Sequence, residues 1–298
     1  MFKSLSDLQK LIEKNKVKKK LALAVSQDSH SLEAVYTAFK NGIIDPILIG
    51  SRPDTERIIE EKGFDFTGAT FIHEPDDVKS VELAVRMVHD NKADILMKGK
   101  VATPTLLKGV LNKEWGLRTG SLLSHFALFE VDTYHKLIGV TDVAMNIAPN
   151  LKDKIGIVNN SVGYMNKMGI AKPKVAVLGA IEMVNESMEA TLDAALLSKM
   201  NQRDQIKNCI IDGPLAFDNA VSFESAKHKG IKSEVAGDTD LLLMPDIEVG
   251  NVLYKTLVFF AKAKVASVIL GASAPIVLTS RSDSEESKYN SILLAAMG

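Results

Sequence analysis

Short apolar runs alternate along the first part of the chain with longer segments in which apolar residues recur every three or four positions. The runs at 21–25, 46–50 and 95–97 have the length of buried β-strands, and the segments between them have the spacing of amphipathic helices. Strands that alternate with helices predict a parallel or mostly parallel sheet with helices on both faces. The pattern therefore predicts an α/β fold.

The alternation breaks in the middle of the chain. Two apolar runs, 122–131 and 137–143, are joined only by the short segment 132–136, which predicts an antiparallel hairpin. A second series of strands and helices follows the hairpin. Its strands are predicted at 175–178, 209–212, 241–244 and 268–270.

Polar residues and glycines mark the ends of several predicted helices. Ser31 fits the N-cap of the helix that follows the first strand, and Gly63 ends the helix after the second strand. Asp246 fits the N-cap of a helix over 247–263, and a single helix is predicted over 217–229.

Length and charge narrow the class of protein. The chain has 298 residues, which suffices for two domains. We expect one domain from residues 1–136 and 275–298, and a second from residues 137–274. The composition is 46% hydrophobic and 24% charged with a formal net charge of −1, so neither a nucleic acid nor a membrane surface is an expected partner.

The single cysteine, Cys209, excludes an intrachain disulfide and fits a cytoplasmic location. It lies in an apolar strand, where a buried small hydrophobic residue is the expected role. The sequence lacks the phosphate loop GxxxxGK[ST], a GxGxxG after a strand, HExxH, paired-cysteine zinc spacing and GxSxG. These absences argue against a nucleotide hydrolase, a standard dinucleotide-binding fold, a zinc site and a serine hydrolase.

The strongest candidate site follows the last predicted strand, at 276–278. Thr279, Ser280 and Arg281 come at the carboxyl end of this strand and just before the last helix. Open α/β sheets bind ligands at this position, and an arginine near a helix N-terminus suits a phosphate or carboxylate. Ser282 and Glu285 also fit a capping box, which explains them and Asp283 as structural residues, but does not explain Ser280 and Arg281.

Other polar residues also stand at predicted strand or turn ends. Lys98 and Lys100 flank a glycine after the strand at 95–97, where two ammonium groups attract an anion, although ordinary solvated lysines fit as well. Arg118 lies beside a turn glycine, and a surface arginine is the alternative there.

A second group of candidates lies around the helix at 247–263. Asp246 and Glu248 follow an apolar strand, and the capping role of Asp246 is the structural alternative. Asn251 and Tyr254 lie one helical turn apart and can present polar tips to a cleft, or pack against the sheet.

Several separate motifs resemble one family. Residues 237–282 contain PDIEVGNVLYK, a glycine after the next strand and the final Ser-Arg, and DGPLAFDNAV, KGKVATPTLLKG and RTGSLLSH match further family segments. Together they resemble the phosphate acetyl/butyryltransferase family, in its butyryl branch, over nearly the whole chain. The resemblance implies two three-layer α/β/α domains like those of isocitrate and isopropylmalate dehydrogenases, with the active site in the cleft between them.

The resemblance also implies a reaction. Family members move a short acyl group between CoA and inorganic phosphate, here butanoyl-CoA plus phosphate to butanoyl phosphate plus CoA. It implies acyl-CoA, CoA and phosphate as partners, CoA as a substrate, no metal or redox cofactor, and a homo-oligomer built from dimers. A phosphate acetyltransferase, or a broader short- or branched-chain specificity, is the nearest alternative.

Site residues carry over by position. Ser280 and Arg281 match the family's catalytic pair, and Thr279, Lys98, Lys100, Arg118, Asp246, Glu248, Asn251 and Tyr254 are the expected substrate-binding residues. The family's proposed base is an aspartate that corresponds here to Ser287, so Asp283 and Glu285, with Glu286 beside them, are the carboxylates left for this role. More distant alternatives are an NAD-dependent decarboxylating dehydrogenase of the same fold and a non-catalytic CoA-sensing domain.

Overall fold

The computed structural model describes residues 2–15, 18–279 and 283–298. The helices are α1 (Leu5–Asn15), α2 (Ser29–Lys40), α3 (Arg52–Lys62), α4 (Asp77–His89), α5 (Thr103–Val110), α6 (Leu151–Lys167), α7 (Glu189–Gln202), α8 (Phe217–Val221), α9 (Phe223–His228), α10 (Ile247–Phe259) and α11 (Glu285–Ala296). The strands are β1 (Lys19–Ala24), β2 (Ile44–Gly50), β3 (Thr70–His73), β4 (Ile95–Lys98), β5 (Ser124–Glu130), β6 (Ile138–Thr141), β7 (Lys174–Leu178), β8 (Ile210–Leu215), β9 (Leu241–Leu243), β10 (Lys264–Leu270) and β11 (Ile276–Val277).

The chain divides into two compact units. The first unit comprises Leu5–Ser121 and Val265–Gly298, and the second comprises Met1–Ser4 and Leu122–Lys264. The domain bounds expected from the sequence, after residue 136 and after residue 274, stay a prediction.

The first unit is built on strands in the order β3-β2-β1-β4-β11-β10. The strands from β3 to β11 are mutually parallel, and β10 runs antiparallel to β11. Leu21, Leu23 and Leu96 are completely buried, as expected for a parallel sheet with helices on both faces. Helices α2 and α11 pack against each other.

The second unit contains strands in the order β5-β6-β9-β7-β8. Strands β5 and β6 pair antiparallel, with Leu128 opposite Gly139, and the remaining neighbours are parallel. The predicted α/β class, with mostly parallel strands and an antiparallel hairpin, is therefore confirmed.

Some predicted helix ends are confirmed and others are wrong. Asp246 caps α10 by accepting a hydrogen bond from the backbone N–H of Val249, and Gly63 ends α3 in the left-handed conformation, as predicted. The predicted cap at Ser31 is wrong, because α2 begins earlier and Asp28 accepts from the Ser31 backbone.

The single helix predicted over 217–229 is also wrong. It is divided into α8 and α9 by Ser222, whose extended backbone ends the first helix and whose side chain caps the second. None of the helices in the described part of the chain combines the length and the apolar character needed to cross a membrane.

Candidate active site

The strand order of the first unit creates a crevice at the carboxyl ends of β1 and β4. From β1 the chain moves to β2 and β3 on one side, and then returns to place β4 on the other side. Such a reversal leaves a gap between the loops that follow the two central strands, and open α/β sheets bind their ligands there.

The ends of β1 and β4 are held together by backbone contacts. The N–H of Gly99 donates to the carbonyl oxygen of Ala24, and the N–H of Lys100 donates to that of Val25, both at 2.9 Å. A Cβ at Gly99 would lie 2.2 Å from the Val25 oxygen, so only glycine fits. Val25 itself has a φ of 58°, a strained conformation for a β-branched residue, and such strain concentrates at functional sites.

A cavity of about 400 Å³ lies at this position. It is lined by the loop after β1 and the start of α2, by the end of β4 and the loop after it, by Thr279 after β11, and by helix α11. The lining residues are Asp28, His30, Ser31, Lys98, Gly99, Lys100, Thr279 and Lys288.

The cavity carries an excess of positive charge. Among the described residues that line it, three carry ammonium groups, namely Lys98, Lys100 and Lys288, and one, Asp28, carries a carboxylate. Lys98 is 7% exposed and Lys288 is 3% exposed. The Lys98 amine donates to the carbonyl oxygens of Gly99 and Val101 at 3.3 Å. Because clustered ammonium groups attract anions, these lysines suit a phosphate or another compact anion.

The structure brings together three of the predicted site residues, namely Lys98, Lys100 and Thr279. The predicted catalytic pair, Ser280 and Arg281, lies outside the described residues. Thr279, which directly precedes the pair, is buried and lines the cavity.

Arg118 takes a different position. Among the described residues, it is not one of those that line the cavity. It is exposed, and it forms an antiparallel bridge with Ala272, while the neighbouring Thr119 hydroxyl donates to the carbonyl oxygen of Gly271 at 2.6 Å. The turn is therefore fastened to the residues that follow β10.

The start of α11 differs from the predicted capping box. Ser284 is the N-cap and accepts from the backbone N–H of Ser287, while Ser282 lies outside the described residues. Asp283 contributes its backbone carbonyl oxygen, which accepts a 2.6 Å hydrogen bond from the amine of Lys288. Glu285 approaches His30, with 3.3 Å between Oε1 and Nδ1.

Two of the second-unit candidates, Asp246 and Glu248, border a groove of about 670 Å³. Most of its remaining lining is apolar and includes Phe217, Val249 and Val252. Within the second unit, the carboxylate of Asp246 caps α10 by accepting a hydrogen bond from the backbone N–H of Val249.

Comparisons with known proteins agree with the motifs. A family described as "Phosphate acetyl/butaryl transferase" matches residues 76–296. The chain belongs to this family. It is 50% identical over 297 residues to a phosphate butyryltransferase of Clostridium acetobutylicum, with 100% of this chain and 98% of the relative covered.

Two further relatives lie within the same range of chemistry. The chain is 48% identical to a phosphate acetyltransferase of Thermotoga maritima, and the matched region covers 97% of this chain and 99% of the relative. A crystal structure of a branched-chain phosphotransacylase from Enterococcus faecalis superposes with a TM-score of 0.83 and 34% identity, covering 94% of this chain and 98% of that one.

The motif PDIEVGNVLYK that suggested the family has a packing role in the second unit. A Cβ at Gly250 would lie 2.4 Å from the carbonyl oxygen of Asp142, so the glycine lets α10 approach the turn after β6. The Asn251 amide donates to the carbonyl oxygen of Val143 at 3.3 Å. The Tyr254 ring packs edge-on against Phe129, with 5.3 Å between centroids.

Four of the described residues that line the cavity were not predicted as site residues: Asp28, His30, Ser31 and Lys288. The first three follow β1 at the start of a helix, so the rule that singled out Lys98 at the end of β4 also applies to them. Lys288 lies one turn into a helix, where an ordinary surface lysine is the usual expectation, and only the packing of α11 reveals its burial.

Proposed function

We propose that this protein transfers a butanoyl group between CoA and inorganic phosphate: butanoyl-CoA plus phosphate gives butanoyl phosphate plus CoA. The observation that carries the proposal is the cavity lined by Lys98, Lys100, Lys288 and Thr279, the last of which directly precedes Ser280 and Arg281 in the sequence. Membership of the family and the butyryltransferase name of a relative of 50% identity support the same reaction.

The reaction requires no covalent enzyme intermediate. A phosphate oxygen attacks the thioester carbonyl carbon, a tetrahedral oxyanion forms, and its collapse breaks the carbon–sulfur bond and releases CoA. The enzyme must hold two anionic substrates together and stabilise the charge that develops on oxygen and sulfur.

The cavity lysines supply the first requirement. In this proposal, Lys98, Lys100 and the Arg281 guanidinium bind the phosphate. The guanidinium can donate hydrogen bonds to two phosphate oxygens at once. Ser280 donates a hydrogen bond to the oxyanion or the leaving sulfur. Arg118 contacts the substrates through its exposed guanidinium.

The remaining predicted contacts concern CoA. We propose that Asp246, Glu248, Asn251 and Tyr254 contribute to its binding from the start of α10. CoA is a substrate in this scheme and does not stay bound between turnovers.

The last part of the proposal concerns which acyl-CoA the protein prefers as its substrate. A butyryltransferase at 50% identity and an acetyltransferase at 48% identity are almost equally similar, so overall identity does not separate the two substrates. We propose butanoyl-CoA as the preferred substrate, with acetyl-CoA and branched acyl-CoA as the alternatives.

The test is phosphate-dependent release of the CoA thiol, measured across acetyl-, butanoyl-, valeryl- and isobutanoyl-CoA. The proposal requires the highest kcat/KM with butanoyl-CoA. A maximum at acetyl-CoA assigns the acetyl reaction instead, and absence of thiol release with every acyl-CoA contradicts the proposed function.

Substitution of Arg281 tests the anion site. Arg281→Ala should lower kcat/KM for phosphate by about 10²-fold or more, because a charged contact to the transition state is lost. Arg203→Ala, an exposed arginine next to α7, is the matched control and should leave turnover unchanged. Near-wild-type turnover by Arg281→Ala contradicts the role of Arg281.

We also propose that the protein is a homo-oligomer built from dimers. The support is the apolar surface around α10, where Val252 is 65% exposed and Phe259 is 61% exposed. Exposed apolar patches of this kind are typical of protein interfaces.

A further inference from the structure

The reaction moves a proton at sulfur as well as an acyl group at carbon. CoA is released into water mainly as a thiol, and in the reverse direction this thiol must lose its proton when sulfur attacks the acyl phosphate. A thiol has a pKa of about 8.5, so only a few per cent is thiolate at neutral pH. A proton acceptor near the phosphate site therefore accelerates the reaction.

The carboxylates expected from the sequence do not line the cavity among the described residues, whereas a histidine does. His30 lies on the cavity wall beside Lys98 and Lys100. Its Nδ1 is 3.3 Å from Oε1 of Glu285, on the first turn of α11. A histidine whose first nitrogen is held by a carboxylate has its second nitrogen available as a base.

We propose that His30 is the proton acceptor for the CoA thiol and that Glu285 is the positioning residue that orients its ring. This inference rests on the proposed acyl transfer and names a catalytic residue for it. It also changes the expected role of Glu285 from a base to a partner of the base.

The proposed step balances as follows. While Nδ1 of His30 keeps its proton and donates a hydrogen bond to Glu285, Nε2 takes the S–H proton as the sulfur forms its bond to the acyl carbon. The bond between that carbon and the phosphate oxygen then breaks, and phosphate leaves. In the opposite direction, the protonated Nε2 returns the proton to the departing sulfur.

The position of His30 suits a base. It is the second residue of α2, so the helix fixes its backbone next to the loop that follows β1. Its side chain is 62% exposed, so a substrate can reach it.

The charged groups around the ring come from three directions. Asp28 and Glu33 lie on the loop after β1 and on α2, Lys98 ends β4 and Lys100 follows it, and Glu285 and Lys288 belong to α11. A hydrogen bond with Glu33, and then one with His30, lower the pKa of Glu285, while burial opposes them. The lowered pKa favours the ionised form of Glu285, which can accept a hydrogen bond from Nδ1–H of His30.

The test compares His30→Gln with His228→Gln, since His228 lies 3.9 Å from Glu224 in another exposed histidine–glutamate pair and is not among the described residues that line the cavity. Turnover of CoA with butanoyl phosphate is measured from pH 5.5 to 9. His30→Gln should lose about 10²-fold in kcat at pH 7, and the loss should shrink toward pH 9, where the thiolate forms unaided. Its KM for butanoyl phosphate should be nearly unchanged, and His228→Gln should match the wild type.

Two further variants separate proton transfer from folding. Glu285→Gln should show a smaller loss than His30→Gln, with the acid side of its pH profile displaced. Turnover by His30→Ala should recover when imidazole is added, which loss of folding would not allow.

The proposal is overturned if His30→Gln keeps wild-type turnover, or if its loss of kcat is the same at every pH. It is also overturned if imidazole does not restore turnover to His30→Ala. Failure of the wild type and of His228→Gln to turn over in this assay contradicts the proposed function instead.

Discussion

His125 is a buried histidine whose environment disfavours its charged form. The side chain is 6% exposed, and its Nδ1 has no hydrogen-bond partner among the described residues. Burial lowers its pKa to about 4, and the nearby Asp142 carboxylate only partly opposes this effect. The ring is therefore neutral at pH 7 and packs edge-on against Tyr254.

This burial predicts a specific acid sensitivity. The unfolded chain binds a proton at His125 near pH 6.5 while the folded chain does not, so stability falls as pH falls from about 6.5 toward 4. The free energy of unfolding should drop by about 2 kcal/mol between pH 7.5 and pH 5 through this residue alone. Urea unfolding at a series of pH values measures the drop.

The variant His125→Phe isolates the effect from that of other groups. It keeps an aromatic ring against Tyr254 but cannot be protonated, so its stability should vary less with pH than that of the wild type. His228→Gln, at an exposed position, should keep the wild-type pH dependence. Equal pH dependence in His125→Phe and the wild type contradicts the prediction.

At the scale of elements, helix α10 depends on one close approach. The Asp142 carboxylate accepts hydrogen bonds from the backbone N–H groups of His125, Ala144 and Met145. It also accepts one from the side-chain amide of Asn146, and together these bonds fix the turn after β6. Gly250 of α10 packs directly on the carbonyl oxygen of Asp142.

Two helical glycines therefore respond in opposite ways to the same substitution. Gly250→Ala should destabilise the protein by about 1–3 kcal/mol, because its Cβ would lie 2.4 Å from the Asp142 oxygen. Gly163→Ala in α6 should stabilise it by about 0.5–1 kcal/mol, because a Cβ there meets no atom within 4 Å. Denaturant unfolding measures both, and equal shifts in the two variants contradict the packing argument.

The elements themselves could be read from the sequence because each depends on local pattern. The hairpin β5–β6 follows from two apolar runs joined by a short connection. The cap at Asp246 depends on one side chain and a backbone N–H three residues later. The break between α8 and α9 could not be seen in this way, because Ser222 suits both a helix interior and a cap.

At the scale of the whole molecule, the predictability of the site depends on chain topology. Lys98 and Thr279 were found because each follows a strand. His30 and Lys288 join them only because β4 lies between β1 and β11 and because α11 packs on α2. Strand order is a non-local property, and a single sequence does not encode it in any short motif.

The surface around α10 carries the last prediction, which concerns the proposed dimer. Val252 and Phe260 are 65% and 88% exposed, and Val252 borders the apolar groove. A second copy that covers this face would remove both side chains from water, and a stable interface needs about 800 Å² on each partner.

The variant Val252→Lys places a charge in this surface and should shift the protein from dimer toward monomer. Sedimentation velocity at micromolar concentration measures the change. Val78→Lys is the matched control, since Val78 is 63% exposed on α4 of the other unit, and it should leave the assembly intact. A monomeric wild type contradicts the dimer itself. A dimeric Val252→Lys variant that dissociates no more readily than Val78→Lys would place the interface on another surface.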